Sequence, residues 1–300
     1  MPATTHLRSF ALLLALTLAA VLPGAGAEAD TWRQRGFTVT EKAGAIVALS
    51  GPTKGLAAAD FQALGAIVTL TSLALDGSGG ALTDEALHHL AGLGALQNLT
   101  FNSCSLSDDG FSVIAGFHDL RGLALFHPSR GRADFTGAGL AQLATLPAFE
   151  RLTLAGATAG DAALAAIATL PHLRELRLWH NTGSADGLRK LAALATLRKL
   201  TLGQRLAGRE RTAASLCDAV LPSLAQLTGL EELTLNDARL GGDALLALQG
   251  MTALKKLTAA QVDTPAADVA RLRAALPKVV IDWKPLSDEQ AAALREKLKL

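Results

Sequence analysis

Two short segments repeat a chemistry-bearing pair: Phe126-His127 and Trp179-His180, the second with Arg177 two positions before Trp179. An aromatic beside an arginine is a combination enriched where proteins bind one another, so these five residues read as a contact surface. Nothing around them reads as a reaction centre. The chain has no H-E-x-x-H or C-x-x-C, its glycines do not form a phosphate-binding loop, and His88-His89 are adjacent residues that diverge on a helix. His127 and His180 would at most face each other, whereas a zinc site needs three or four ligands at about 2 Å. The sequence therefore predicts no metal, no cofactor and no enzymatic activity.

What must position these pairs is legible around the second one. Leu173-Arg-Glu-Leu-Arg-Leu-Trp-His-Asn181 has the form L-x-x-L-x-L-x-x-N. In an extended segment alternate side chains face opposite ways, which sends Leu176 and Leu178 inward and Arg177 and Trp179 outward. A second apolar series follows, Leu188, Leu191 and Leu194, at a spacing that lays one stripe along a helical turn. One unit is thus a strand and a helix. It cannot bury both apolar faces alone, so copies must stack.

The copies can be followed by column. The first inward column reads Val47, Leu73, Leu99, Leu123, Leu152, Leu176, Leu200, Leu233 and Leu257; the second reads Leu49, Leu75, Phe101, Leu125, Leu154, Leu178, Leu202, Leu235 and Ala259. Helix stripes such as Leu87/Leu90/Leu93 and Leu245/Leu248/Met251 recur between them, with a degenerate last one at Val269/Leu272/Ala275. Length varies in the loop leaving each strand: 10 residues from Leu178 to Leu188, 15 from Leu125 to Leu140 and 19 from Leu202 to Leu221. Insertions confined to one rim are expected of a solenoid.

Over roughly residues 44 to 276 the chain resembles the leucine-rich-repeat proteins. Cys104-Ser-Leu-Ser-Asp-Asp-Gly-Phe111 and Leu82-Thr-Asp-Glu-Ala-Leu87 are similar to the C-x-I-T-D-x-G-L signature of that family's cysteine-containing subclass, in the ribonuclease-inhibitor-like group, of a secreted bacterial kind. The resemblance implies an α/β horseshoe solenoid, with a parallel sheet on the concave face and helices on the convex face. It also implies protein binding through the concave face.

Residues 1–27 read as an export signal: His6 and Arg8 near the start, an apolar run from Phe10 to Leu22, then Ala25-Gly-Ala27 as the cleavage site. That run is too short to span a bilayer comfortably, and no cysteine follows it for lipid attachment. The expected product is soluble and exported, periplasmic or extracellular, with no membrane span. Residues 28–50 read as an N-terminal cap in which Phe37-Thr-Val39 and Ile46-Val-Ala-Leu49 form a hairpin, 51–276 as the repeats, and 277–300 as a closing strand and helix. The closing strand is expected to depart from the register of the columns. Ser287 and Gln290 have capping-box spacing for the last helix, and Thr83 and Thr264 are expected helix N-caps.

The 300 residues are half hydrophobic, include no tyrosine and carry a net charge of +1. That composition fits one elongated domain and points to no nucleic-acid partner. Cys104 and Cys217 fall four repeats apart, roughly 19 Å at about 4.8 Å per strand. A disulfide spans Cα atoms within about 7 Å, so Cys104 is expected to be structural and Cys217 a free thiol.

Between the inward columns the outward position is mostly threonine or alanine, with Arg177 the exception. One column on, Phe126 and Trp179 stand two strands apart with Ala155 between, and His127 and His180 flank Gly156. Two strand spacings make about 10 Å, so the rings are expected to wall a notch floored by small residues, wide enough for a flat group or an inserted side chain. Long loops on either side carry Arg130 and Arg132, and Arg205, Arg209 and Arg211, with Asp134 and Glu210 opposing. Of these, Arg130, Arg205 and Arg209 are expected rim contacts for an acidic partner. Arg151, Glu175, Lys199, Glu232 and Lys256 alternate in sign along one column and are expected to pair across strands. The function expected is non-catalytic recognition of a protein or peptide. The alternatives are binding of an envelope glycan, which an aromatic platform beside polar groups also suits, and a structural role without a discrete site.

Overall fold

The computed structural model describes residues 25–129, 132–205 and 214–298. Helix α1 (Ala25–Gln34) leads into strands β1 (Thr38–Lys42) and β2 (Ala45–Pro52). Strands β3 (Ser72–Asp76), β4 (Asn98–Asn102), β5 (Gly122–Phe126), β6 (Arg151–Ala155), β7 (Glu175–Trp179), β8 (Lys199–Leu202), β9 (Glu232–Arg239), β10 (Lys256–Asp263) and β11 (Val280–Trp283) follow. All lie in one sheet in chain order. β1 and β2 are antiparallel; every later neighbour is parallel. The return segments are short helices, among them α2 (Ala58–Gly65), α3 (Asp84–His88), α4 (Phe111–Ile114), α5 (Asp161–Ile167), α6 (Ala185–Arg189), α7 (Leu221–Leu224), α8 (Gly242–Leu246) and α9 (Ala266–Ala275), with a 3₁₀ segment at Ala138–Thr145. A last helix, α10 (Asp288–Leu298), follows β11.

From β3 onward the columns pair as their spacing requires: Leu73 with Leu99, Leu152 with Leu176, Leu178 with Leu202. Their side chains and the helix stripes form one continuous buried cluster. Each fully buried leucine contributes about 1.5–3 kcal/mol relative to leaving it in water.

Both ends depart from the expected columns. On β2 the register is two residues later: Leu49 pairs with Leu73 and Gly51 with Leu75, so Val47 lies outside the first column. The place of the second inward side chain is filled by Phe37, whose ring carbons lie 2.6 Å from where a Cβ on Gly51 would stand. On β11, conversely, Ile281 pairs with Leu257 and Trp283 with Ala259, so the closing strand keeps the column register. The large indole sits beside the small Ala259, and its N–H donates to Val262 O at 3.1 Å. The Ser287/Gln290 capping box forms in both directions, and Thr83 caps α3 by accepting from Ala86 N–H. Thr264 does not cap α9, because Pro265 takes that position. α10 turns back against β9 and β10, burying Leu294 and Leu298 and pairing Lys297 with Asp237 at 2.9 Å.

Neighbouring units are also bracketed by polar side chains. Asn181 donates to Leu154 O and accepts from Ala157 N–H, tying its unit to the one before. Cys104 occupies the same position in its own unit, buried, and burial pushes its thiol up to about 12. Both cysteines are free. A second bracket runs along the loop rim. Asp84 accepts from Ser107 N–H, Asp108 from Thr136 and Gly137 N–H, Asp161 from Ser184 N–H and Asp218 from Gly241 N–H, each one unit ahead. A glycine makes room where needed: a Cβ on Gly187 would lie 2.3 Å from Asp161 Oδ1, and one on Gly110 would lie 2.5 Å from Asp84 Oδ1.

Burial is the largest influence on Asp161 and opposes its charged form. The bonds from Ser184 N–H and Oγ, with Lys190 and Arg205 nearby, outweigh it and hold the carboxyl below its ordinary 3.8. A pKa depressed by folding stabilises the native state above the unfolded value, and that stabilisation is lost as pH falls through the folded one. Asp161→Asn is therefore expected to lower stability at pH 7 by about 1 kcal/mol, as loss of a capping carboxylate does. Urea denaturation should show the gap from wild type narrowing as pH falls below about 3.8, where the unfolded chain takes up the proton, and on through the lower folded value.

Candidate functional site

The strands end in a shared backbone device. Ser103, His127, Gly156, His180, Asp237 and Gln261, six members of one column, all have φ between 49° and 66°. Such a left-handed residue costs most side chains roughly 1–2 kcal/mol, so the geometry is imposed by the stacking. The ladder continues through it: His127 N–H donates to Ala155 O at 2.8 Å and His180 N–H to Gln204 O at 2.9 Å.

On the concave face the predicted aromatic pair comes together more closely than strand spacing suggests. The Phe126 and Trp179 rings lie 6.1 Å apart between centroids, tilted by 55°. They lean toward each other over Ala155, whose methyl offers nothing to hold them apart and which is only 3% exposed. The expected notch is thus filled by its own walls. His127 closes the same region from the loop side, its ring 2.5 Å from where a Cβ on Gly156 would stand, with Nδ1 3.4 Å from Asn102 Oδ1.

The open space lies on the other side of Trp179. There a hollow of about 400 Å³ is lined by Arg177, Trp179, His180, Gly203, Asn236 and Gln261, among others. Asn236 and Gln261 belong to the same outward columns as the aromatic pairs, and only their position after Trp179 marks them in the sequence. A comparable hollow of about 390 Å³ lies over β2 to β4, lined by small and polar residues including Ser50, Ala74, Thr100 and Asn102. A further hollow, of about 840 Å³, is at the loop rim beside Cys217, Asp243 and Thr264. Its Asp263 is already flanked by Arg239 at 3.7 Å and Arg295 at 3.6 Å.

The charges of the face are largely met within it. Arg177 pairs with Glu175 on its own strand at 2.6 Å. Lys199 pairs with Glu232 across strands at 2.8 Å, and that bond holds the amine above the usual lysine range. Arg151 reaches past Gly122 to Asn98 Oδ1 at 2.8 Å, so the alternating column pairs only in part as expected. Of the loop arginines, Arg130, Arg209 and Arg211 lie outside the described residues. Arg132 is held by Asp134, Nε to Oδ1 at 2.7 Å, and lowers that carboxyl's pKa. Arg205 folds inward instead of projecting from the rim: it lines a crevice with Trp179, Leu188 and Ser215, and its Nε is buried without a hydrogen-bond partner among the described residues. Among those residues no three His, Cys, Asp or Glu are placed to hold a metal ion.

No protein-family model and no curated protein sequence matches the chain. Solved structures do. Internalin C2 from Listeria monocytogenes str. 4b F2365 is similar over 83% of this chain and 88% of its own, at 16% identity and a TM-score of 0.45. Internalin F from the same organism is similar over 75% of this chain and 71% of its own, at 19% identity and a TM-score of 0.43. The sheet order and the column register, on their own, make this chain a leucine-rich-repeat solenoid.

Gln204 is a residue that column counting misplaces. It shares the column of His127 and His180 but does not take the left-handed turn, and its side chain is 3% exposed. Its Oε1 accepts from Ser215 N–H, Ser215 Oγ and Leu216 N–H, and its Nε2 donates to Leu216 O at 3.1 Å. One amide thereby fastens both ends of the longest insertion beneath Trp179. Gln204→Leu is expected to cost about 1–3 kcal/mol by leaving buried donors unpaired. Gln261→Leu, at an exposed position of the same column, should change little in the same chemical denaturation.

Proposed function

We propose that the chain is an exported, non-catalytic binding module that recognises a protein or peptide through its concave sheet. Phe126, His127, Arg177, Trp179 and His180 form the contact core, with Arg130 and Arg209 at the rim and Arg205 bracing Trp179 from behind. The observation that carries this reading is the aromatic pair: two partly buried rings packed on each other beside an open hollow of about 400 Å³. Ring contact itself is worth only about 0.5–1.5 kcal/mol, which makes the pair inexpensive to remove from the fold and costly to remove from an interface. A glycan is the second reading, favoured by the carboxamides of Asn236 and Gln261 in a hollow walled by an indole.

The double variant Phe126→Ala/Trp179→Ala is expected to keep the wild-type circular dichroism and lose at least about 2 kcal/mol of partner affinity. Pull-down from the native envelope and culture fluid, alongside a glycan array, checks this. Capture unchanged by the variant would sink the aromatic pair as the contact core, and retention on glycans alone would select the second reading.

The finer assignments are ours as well. We read the repeats as the cysteine-containing type, supported by buried Cys104 in the position of Asn181 and by Gly110 admitting Asp84. Residues 1–27 are read as the export signal, 28–50 as a cap, 51–276 as repeats and 277–300 as the closing strand and helix. Supporting the cleavage site, Ala29 and Trp32 of α1 are buried in the core and lie beyond Ala27. The intact mass of the protein from its native host is expected to correspond to a chain starting at Glu28; residues retained before it would refute the site.

A further inference from the structure

One outward column crosses the concave face without a break. Strand pairing sets Pro52, Asp76, Asn102, Phe126, Ala155 and Trp179 side by side on β2 to β7. Phe126 and Trp179 meet over Ala155 at 6.1 Å between centroids, so their rings form a ridge across the face. A hollow lies on each side of it. The first, about 390 Å³ over β2 to β4, ends at Asn102, the ladder neighbour of Phe126. The second, about 400 Å³, begins at Arg177 and Trp179.

The two hollows differ in sign. Among the described residues, the charged group lining the first is Asp76, exposed at the end of β3, and the others, such as Ser50, Ala74 and Thr100, are small and neutral. Beside His180, the ionisable residues lining the second are Arg177 and Asp237. Asp237 is met by Lys297 at 2.9 Å. Arg177 is held at one Nη by Glu175, but Glu175 is not part of the lining, and its side chain is 24% exposed against 54% for Arg177. A guanidinium carries five N–H donors, so one carboxylate beneath it leaves it able to bind a second from outside.

We propose that the partner presents an extended segment that straddles the ridge, with a basic side chain in the hollow of Asp76, an acidic one in the hollow of Arg177 and an apolar one between them on the rings. This rests on the concave-face reading above and names what that face selects. Complementary charge at both ends fixes the segment's direction and rejects segments with the wrong order. Asp76 and Arg177 stand on β3 and β7, four strand steps apart, roughly 19 Å at about 4.8 Å each. An extended chain covers that distance in about six residues, and an even count puts both charged side chains on the same side of it. Strands β3 to β9 each have a neighbour on both sides, so side chains and not an added strand must carry the recognition. A flat partner would rest on the ridge and miss both hollows. A chain bent over it fills both.

A phage-displayed library of random dodecapeptides, panned on the mature chain and counter-selected on Phe126→Ala/Trp179→Ala, tests this. The enriched peptides are expected to share a Lys or Arg and an Asp or Glu about six positions apart, with an apolar residue between. For one such peptide made synthetically, fluorescence anisotropy should show Asp76→Lys and Arg177→Glu, both at exposed positions, each weakening binding about fivefold or more. Reversing the peptide's basic residue should rescue Asp76→Lys alone, and reversing its acidic residue should rescue Arg177→Glu alone. Peptides that depend on the aromatic pair but lack the charge pair overturn the inference and leave the concave-face reading standing, as do charge reversals without effect or without rescue. A library that yields no peptide dependent on the aromatic pair overturns both.

Discussion

A strand five residues long with two inward leucines has no means of hiding them except beneath its neighbours. Every other feature follows from that constraint. The strands must be parallel because each unit returns along the opposite side. The register must be the same at every step because a slip of one residue would turn the leucines to solvent. Variation is then confined to the loops leaving the strands, and the outward residues are free to differ because the inward ones are not.

The central ladder is legible in the sequence for the same reason. Columns such as Leu152, Leu176 and Leu200 are exact in spacing, and the sheet pairs them as spaced. The ends are less legible, because the elements that close a stack need not obey its period. On β2 a glycine stands where a leucine belongs and the missing volume arrives from Phe37, which no column count reveals. On β11 the spacing from the degenerate stripe is regular, but Ala259 and Trp283 conceal it by exchanging small for large.

The candidate site was harder to read than the scaffold, because columns specify where a Cα stands and not where its side chain goes. Phe126 and Trp179 fall on the concave face as their parity requires, yet their rings close over Ala155 instead of leaving a slot. Gln204 and His180 share a column but not a backbone conformation, and one amide is buried where one imidazole is not. Arg205 would pass for a solvated loop charge in any composition count, while its Nε is buried and the residue lines a crevice with Trp179. The glycines before two of the helix stripes have a physical origin: at Gly110 and Gly187 they leave the space an aspartate from the preceding unit occupies.

Those aspartates bind each unit to the next one along and to nothing further away. Apart from the aromatic pair, Arg151 and the closing helix, the contacts described run between neighbouring units, and a chain built this way folds by propagation from a nucleus instead of by a single global collapse. The molecule behaves as a zipper. Because its teeth are fastened by side chains as well as by the sheet, a fault in one unit weakens the two beside it and leaves distant units closed.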